Sequence, residues 1–231
     1  MLATLAALTL GVALQVTGAE AVLRSGLTPG EHPVDAVIAS LEPEGGIAPR
    51  YALRSEYVLL LRADLQMRGA PEALTTAVDR SVSTAVLEWL LGELAVVREA
   101  ERGGAGDPDP SALSQTRQRV VAQLGGDPGV AALLSATGLT ASEFDTLLRR
   151  RTVAQAWLLE RHPRLIEPDD SAVREAFESG QFAQGYRAEA TLGEARRVIR
   201  QRLIEARYPA ALRLYLRGLG SRVRVRVFVD P

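Results

Sequence analysis

The sequence predicts a mainly α-helical protein in which one small β-sheet joins the two ends of the chain. Through most of the chain the apolar residues recur at helical spacing. Two segments have strand character instead, 34–40 (VDAVIAS) and the strictly alternating 222–229 (RVRVRVFV). Because a lone strand leaves its backbone groups unpaired, we expect these two distant segments to pair with each other.

The helices of the first half follow from periodicity. Apolar spacing predicts one helix from Tyr51 to Arg68 and a longer one from Pro71 to Arg102. The Gly- and Pro-rich segment 103–110 (GGAGDPDP) ends this half of the chain.

The later helices carry start signals. Proline suits the first helical position and an acidic residue complements the helix N-terminus, and three pairs of this kind occur: Asp109-Pro110, Asp127-Pro128 and Glu167-Pro168. Asp169 and Asp170 then fit the first turn of the third of these helices rather than a cation site.

An arginine-rich helix is predicted over 140–161 (TASEFDTLLRRRTVAQAWLLER), because Thr140 and Glu143 form a capping box. Its apolar stripe predicts a core-facing side, with Arg149–Arg151 outward on a solvated or groove-facing side. The last helical pattern, 189–219, contains Pro209, which predicts a kink or restart near Tyr208.

Composition limits the chemistry. The 231 residues are 47% hydrophobic and 24% charged, as in soluble globular proteins, and a net charge of −1 argues against nucleic acid as a partner. The absence of cysteine excludes disulfides and thiol catalysis. His32 and His162 stand beside prolines in expected exposed loops, without partner groups at catalytic or ligand spacing. We therefore predict no catalytic residue, no metal site and no cofactor.

The first residues predict export. Leu2–Val16 (LATLAALTLGVALQV) is uncharged and is followed by small residues, which is typical of a signal peptide cleaved near Ala19. It is shorter than the roughly 20 apolar residues of a membrane span. We thus predict a signal peptide at 1–19, a single mature domain at 20–231 with no integral membrane span, and a periplasmic location. Because no basic residue precedes the run, an N-terminal core helix in a cytoplasmic regulator is the alternative.

Six patterns in order carry a family resemblance: 34–41 (VDAVIASL), 53–57 (LRSEY), 98–103 (REAERG), 138–144 (GLTASEF), 166–177 (IEPDDSAVREAF), and the closing pair 202–217 (RLIEARYPAALRLYLR) with 222–229. Over 34–229 the chain resembles the N-terminal domain of SurA-like periplasmic chaperones. The opening is similar to the family's V-D-x-V-V-A-x-V, and Tyr215 stands where the family often has Trp. The resemblance implies a helical core at 34–180 onto which a C-terminal helix and strand, 189–231, fold back.

One departure from the family bears on activity. Members usually carry one or two parvulin prolyl isomerase domains before the final helix, whereas only 178–190 (ESGQFAQGYRAEA) lies there in this chain. The resemblance therefore implies an ATP-independent holdase for unfolded outer-membrane or secreted proteins, without isomerase activity. An adaptor or structural protein for one specific envelope partner is the main alternative, and a degenerate isomerase is a third.

Five side chains are candidate client-binding residues, because aromatic and Met side chains suit adaptable apolar binding: Tyr51, Tyr57, Met67, Trp157 and Tyr215. Ordinary core packing is the alternative for each. The distant C-terminal strand could also pair with a second copy, giving a strand-swapped homodimer.

Overall fold

The computed structural model describes residues 35–45, 48–70, 72–185 and 190–228. The predicted signal peptide and His32 lie outside these ranges. In chain order the elements are β1 (Val37–Pro43), β2 (Arg50–Leu53), α1 (Arg54–Met67), α2 (Arg80–Arg102), α3 (Pro110–Gln123), α4 (Asp127–Thr137), α5 (Ala141–Arg161), α6 (Pro163–Ile166), α7 (Asp170–Glu178), α8 (Leu192–Leu219) and β3 (Val223–Val227).

The small sheet joins the two ends of the described chain, as predicted. Its strand order is β2-β1-β3, and both pairings are antiparallel. In the β1–β3 ladder Ala39 lies opposite Val227 and Leu41 lies opposite Val225. The mainly helical class with a paired first and last strand is therefore confirmed, although β1 spans Val37–Pro43 rather than 34–40 and β3 spans Val223–Val227 rather than 222–229.

The predicted helix from Tyr51 begins three residues late. Tyr51 belongs to β2, where it lies opposite Ser40 of β1, and the helix starts only at Arg54. The apolar spacing of 51–53 fits a helix, but in β2 the same residues gain the hydrogen bonds of the sheet.

The helix predicted from Pro71 also starts late. Residues 72–76 form turns and a bend, 77–79 are irregular, and α2 begins at Arg80. Asp79 caps it, since its carboxylate accepts a hydrogen bond of 2.7 Å from the backbone N–H of Ser81. Because such a cap satisfies a donor that helix geometry leaves free, it fixes the start at that residue.

Two of the predicted helix starts are confirmed at the level of atoms. The Glu143 carboxylate accepts a hydrogen bond of 2.7 Å from the backbone N–H of Thr140, and the Thr140 hydroxyl accepts one from the backbone N–H of Glu143. Asp109 caps α3 by accepting from the backbone N–H of Ser111 at 2.6 Å.

The other two starts differ in detail. Gly126 takes the cap position of α4, with Asp127 inside the first turn. For α7 the prediction of Glu167-Pro168 is wrong, because Asp169 caps the helix and Asp170 lies in its first turn. The Asp169 carboxylate accepts a hydrogen bond of 2.8 Å from the backbone N–H of Ala172. Glu167 lies two residues before the cap position, so its side chain does not take this role.

α8 continues through Pro209 as one helix, so the restart predicted near Tyr208 does not occur. Tyr208 and Leu212 are fully buried on either side of the proline. The burial of these two side chains stabilises α8 on both sides of the proline, which offsets the hydrogen bond that proline removes.

The centre of the fold is α2, which packs against α8, α5, α1 and the sheet. Its contact with α8 is close enough to require glycine. A Cβ atom placed on Gly92 would lie 2.5 Å from the carbonyl oxygen of Leu212. A second apolar cluster joins α1, α3, α4 and α5, and a third joins α7 to the start of α8.

Candidate functional site

A groove of about 710 Å³ opens between β2 and α5, with α2 beneath it. We call it the β2–α5 groove. Its lining residues are Pro49, Arg50, Tyr51, Leu53, Glu56, Leu94, Val97, Glu101, Ala105, Gly106, Asp107, Thr146, Arg149, Arg150 and Val153.

One wall of the groove is the outer edge of β2. Among the described residues β2 pairs with β1 alone, so its other edge has no neighbouring strand. Arg50 and Tyr51 point to opposite faces of the sheet, yet both line the groove. The strand therefore presents its edge, with its backbone groups, to this space.

The opposite wall is one face of α5. Thr146, Arg149, Arg150 and Val153 follow the i, i+3, i+4, i+7 spacing that places side chains on one side of a helix. The floor is a matching stripe of α2 that includes Leu94 and Val97. The groove is thus a channel between a strand edge and a helix.

Every arginine that lines the groove is paired with a carboxylate that also lines it. The three ion pairs are Arg50–Glu101, Arg149–Asp107 at 2.9 Å, and Arg150–Glu56 at 2.7 Å. The formal charges of these six side chains sum to zero, so the groove has no net charge with which to attract an ion.

Arg150 is the anchor of a buried polar network beneath the groove. Its side chain is 13% exposed, and its Nε donates to Glu93 at 2.8 Å. Glu93, 3% exposed, also accepts from the Tyr208 hydroxyl at 2.9 Å. Burial acts to lower the pKa of Arg150, but Glu93 and Glu56 outweigh it and raise that pKa above its usual value. Burial, followed by the charge of Glu93, raises the pKa of Tyr208 well above its usual value.

The sequence predicted that Arg149–Arg151 lie outward, on a solvated or groove-facing side. Arg149 and Arg150 do line the groove, although only Arg149 is exposed and the Arg150 side chain is 13% exposed. The prediction is wrong for Arg151, which is half-buried with its guanidinium 5.2 Å from the ring centroid of Tyr208. Carboxylates and an aromatic ring from other helices draw the Arg150 and Arg151 side chains inward.

Of the five candidate client-binding residues, the structure brings Tyr51 alone to the groove, where it is 50% exposed. Tyr57 is buried in the main core, with its hydroxyl 2.7 Å from the Ser83 hydroxyl. Met67 is half-buried against the second cluster, and Trp157 and Tyr215 are half-buried against the first. The five residues thus do not form one surface, and their client-binding roles stay predictions.

His162 differs from the exposed loop histidine that the sequence predicted. It is half-buried at the junction of α5 and α6, and its ring packs edge-on against Tyr215 at a centroid distance of 5.2 Å. Over the residues that the structure describes, no three His, Asp or Glu side chains are grouped so that they could hold a metal ion.

Sequence reasoning missed the groove. The spacing of Thr146, Arg149, Arg150 and Val153 is visible in the sequence, but nothing in the sequence indicates that the edge of β2 lies opposite this stripe.

Comparison with known proteins adds no relative: no protein-family model matches the chain, and no curated protein or solved structure matches it significantly. The SurA-like resemblance therefore rests on the residues and their order. None of the helices in the described part combines the length and hydropathy that crossing a membrane requires.

Proposed function

We propose that this protein is a periplasmic, ATP-independent holdase that binds unfolded or extended segments of outer-membrane and other envelope proteins, without prolyl isomerase activity. The observation that carries the proposal is the β2–α5 groove, which combines an unpaired strand edge, an exposed aromatic residue (Tyr51) and no net charge. Extended, uncharged segments are what such a surface suits.

The course of the chain supports the same proposal. β3 pairs with β1, and α8 packs along α2, so the C-terminal part of the chain returns to the N-terminal part. This is the arrangement that the resemblance to SurA-like chaperones implies. Only residues 179–191 separate α7 from α8, a spacing far shorter than a parvulin domain.

The direct test is suppression of aggregation. The mature form, 20–231, is mixed with a urea-unfolded β-barrel membrane protein, and light scattering is followed on dilution. We expect suppression at a near-equal molar ratio and without ATP, and an equal amount of serum albumin serves as the control. No suppression across several such clients by a protein shown to be folded would overturn the holdase proposal.

Two further measurements test export to the periplasm and the expected lack of prolyl isomerase activity. Mass spectrometry of the protein from a periplasmic extract should give a mature N-terminus near Glu20, whereas an intact Met1 in the cytoplasm would contradict export. A proline isomerisation assay at high protein concentration should give the uncatalysed rate.

An adaptor for one specific partner is the second candidate. Such a partner would contact the large apolar side chains that are exposed outside the groove: Val37 at 37%, Leu214 at 52% and Phe228 at 46% exposure. Pull-downs distinguish the two functions, because a single stoichiometric partner supports the adaptor and many unfolded clients support the holdase.

A further inference from the structure

Resting on the proposed function, we propose a binding mode for the client. An uncharged extended segment adds to the sheet as a fourth strand, along the outer edge of β2, and is covered on its other side by α5. The same site would thus select clients by their backbone and by their lack of charge.

The outer edge of β2 is suited to pairing with an extended peptide. Its outer N–H and C=O groups face the groove and have no partner strand among the described residues. An extended peptide is the ligand that pairs a row of such edge groups. A helix opposite the strand edge completes the groove, since its side chains close the far side of the added strand.

The outer edge of β3 is a useful contrast. It too lacks a neighbouring strand in the described chain, but Arg224 and Arg226 on β3 are exposed, and charged side chains on an edge strand discourage strand addition. β2 carries a single arginine, Arg50, and its edge lines the β2–α5 groove. The geometry therefore favours β2.

Dimensions set the length of the segment. β2 has four residues, which at about 3.3 Å per residue give an edge of roughly 13 Å. We therefore expect a core recognition segment of about four to six residues. Its alternate side chains would meet the apolar floor that Leu94, Val97 and Val153 form.

Charge sets the chemistry of the segment. Because the three ion pairs of the groove already neutralise each other, a charged client residue would enter without a free counter-charge. The segment is therefore expected to carry uncharged side chains along β2.

The experiment measures binding of a labelled seven-residue peptide with alternating Val or Tyr and Ser by fluorescence anisotropy. A series of peptides, each N-methylated at a single position, then tests which backbone N–H groups of the peptide donate hydrogen bonds to the protein. Strand addition predicts that methylation at alternate positions weakens binding about tenfold, since it removes a hydrogen bond to β2, and that methylation at the positions between has little effect. A profile without this alternation would overturn the proposal.

Paired variants on α5 locate the site. Thr146 lines the groove, and Ala156 is exposed on the same helix outside it. Thr146→Trp should abolish peptide binding, and Ala156→Trp should leave it unchanged. Because the chain has no cysteine, Thr146→Cys and Ala156→Cys each give a single thiol. Bound peptide should slow alkylation of the thiol at position 146 and leave that at position 156 unchanged. If the peptide does not change the alkylation rate at position 146, the proposed site is wrong.

The outcomes separate the two proposals. Aggregation suppression that persists in Thr146→Trp would refute strand addition at β2 and leave the holdase function standing. Peptide binding with the alternating methylation profile, but without aggregation suppression, would refute the holdase function and leave the groove as a peptide site.

Discussion

The buried Arg150 network gives the sharpest test of how the fold is held together. Arg150 carries two ion pairs, to Glu93 and to Glu56, that join α5 to α2 and α1. In an Arg150→Leu variant both carboxylates would keep their buried positions without a cation. We therefore expect a large loss of stability from one substitution on a helix that is otherwise unchanged.

The magnitude follows from burial. The side chain of Glu93 is 3% exposed and that of Glu56 17%, so water compensates little for the lost guanidinium. Removing one partner of a buried ion pair typically costs about 3–5 kcal/mol, a large part of the roughly 5–15 kcal/mol that stabilises a domain.

Urea unfolding followed by circular dichroism measures the effect. With a slope of about 2–3 kcal/mol/M, the expected loss lowers the urea midpoint by about 1–2.5 M. The neighbouring Arg149→Leu is the matched control. Its ion pair with Asp107 is exposed, 51% and 81% for the two side chains, and such pairs contribute about 0–1 kcal/mol. Equal midpoints for the two variants would refute the network as a source of stability.

Three further changes test other contacts. Gly92→Ala should cost about 1–3 kcal/mol, because the added Cβ would lie 2.5 Å from the Leu212 carbonyl oxygen and force α2 from α8; an unchanged melting temperature would contradict this. Tyr208→Phe should cost about 1–3 kcal/mol by removing the donor to Glu93, and a urea midpoint equal to wild type would count against that hydrogen bond. Hydrogen bonds at the start of α7 lower the pKa of Asp169 from 3.8. A carboxyl group whose pKa is lower in the folded than in the unfolded protein stabilises the fold at a pH above its unfolded-state pKa. This stabilisation is lost as the pH falls through the folded-state pKa. The midpoint difference between wild type and Asp169→Ala should therefore be constant near neutral pH and shrink below about pH 4, and a difference independent of pH would contradict the cap.

The helical class, the approximate extent of most helices and the pairing of the first and last strands could be predicted from the sequence. These features depend on signals carried by near neighbours. The capping box of Thr140 and Glu143 needs only residues three apart, and the alternation of 222–229 is complete within one segment. Local patterns of this kind can be recognised in the sequence without knowledge of the tertiary structure.

The positions of Tyr51 and Arg150 depend instead on contacts between segments that are distant in sequence. The local apolar spacing around Tyr51 favours a helix, but Tyr51 lies in a strand because β2 forms backbone hydrogen bonds with β1. Arg150 turns inward because Glu93 and Glu56, 57 and 94 residues away in sequence, meet it between three helices. The groove exists for the same reason, since the edge of β2 and one face of α5 become its two walls only when the helices and the sheet pack together.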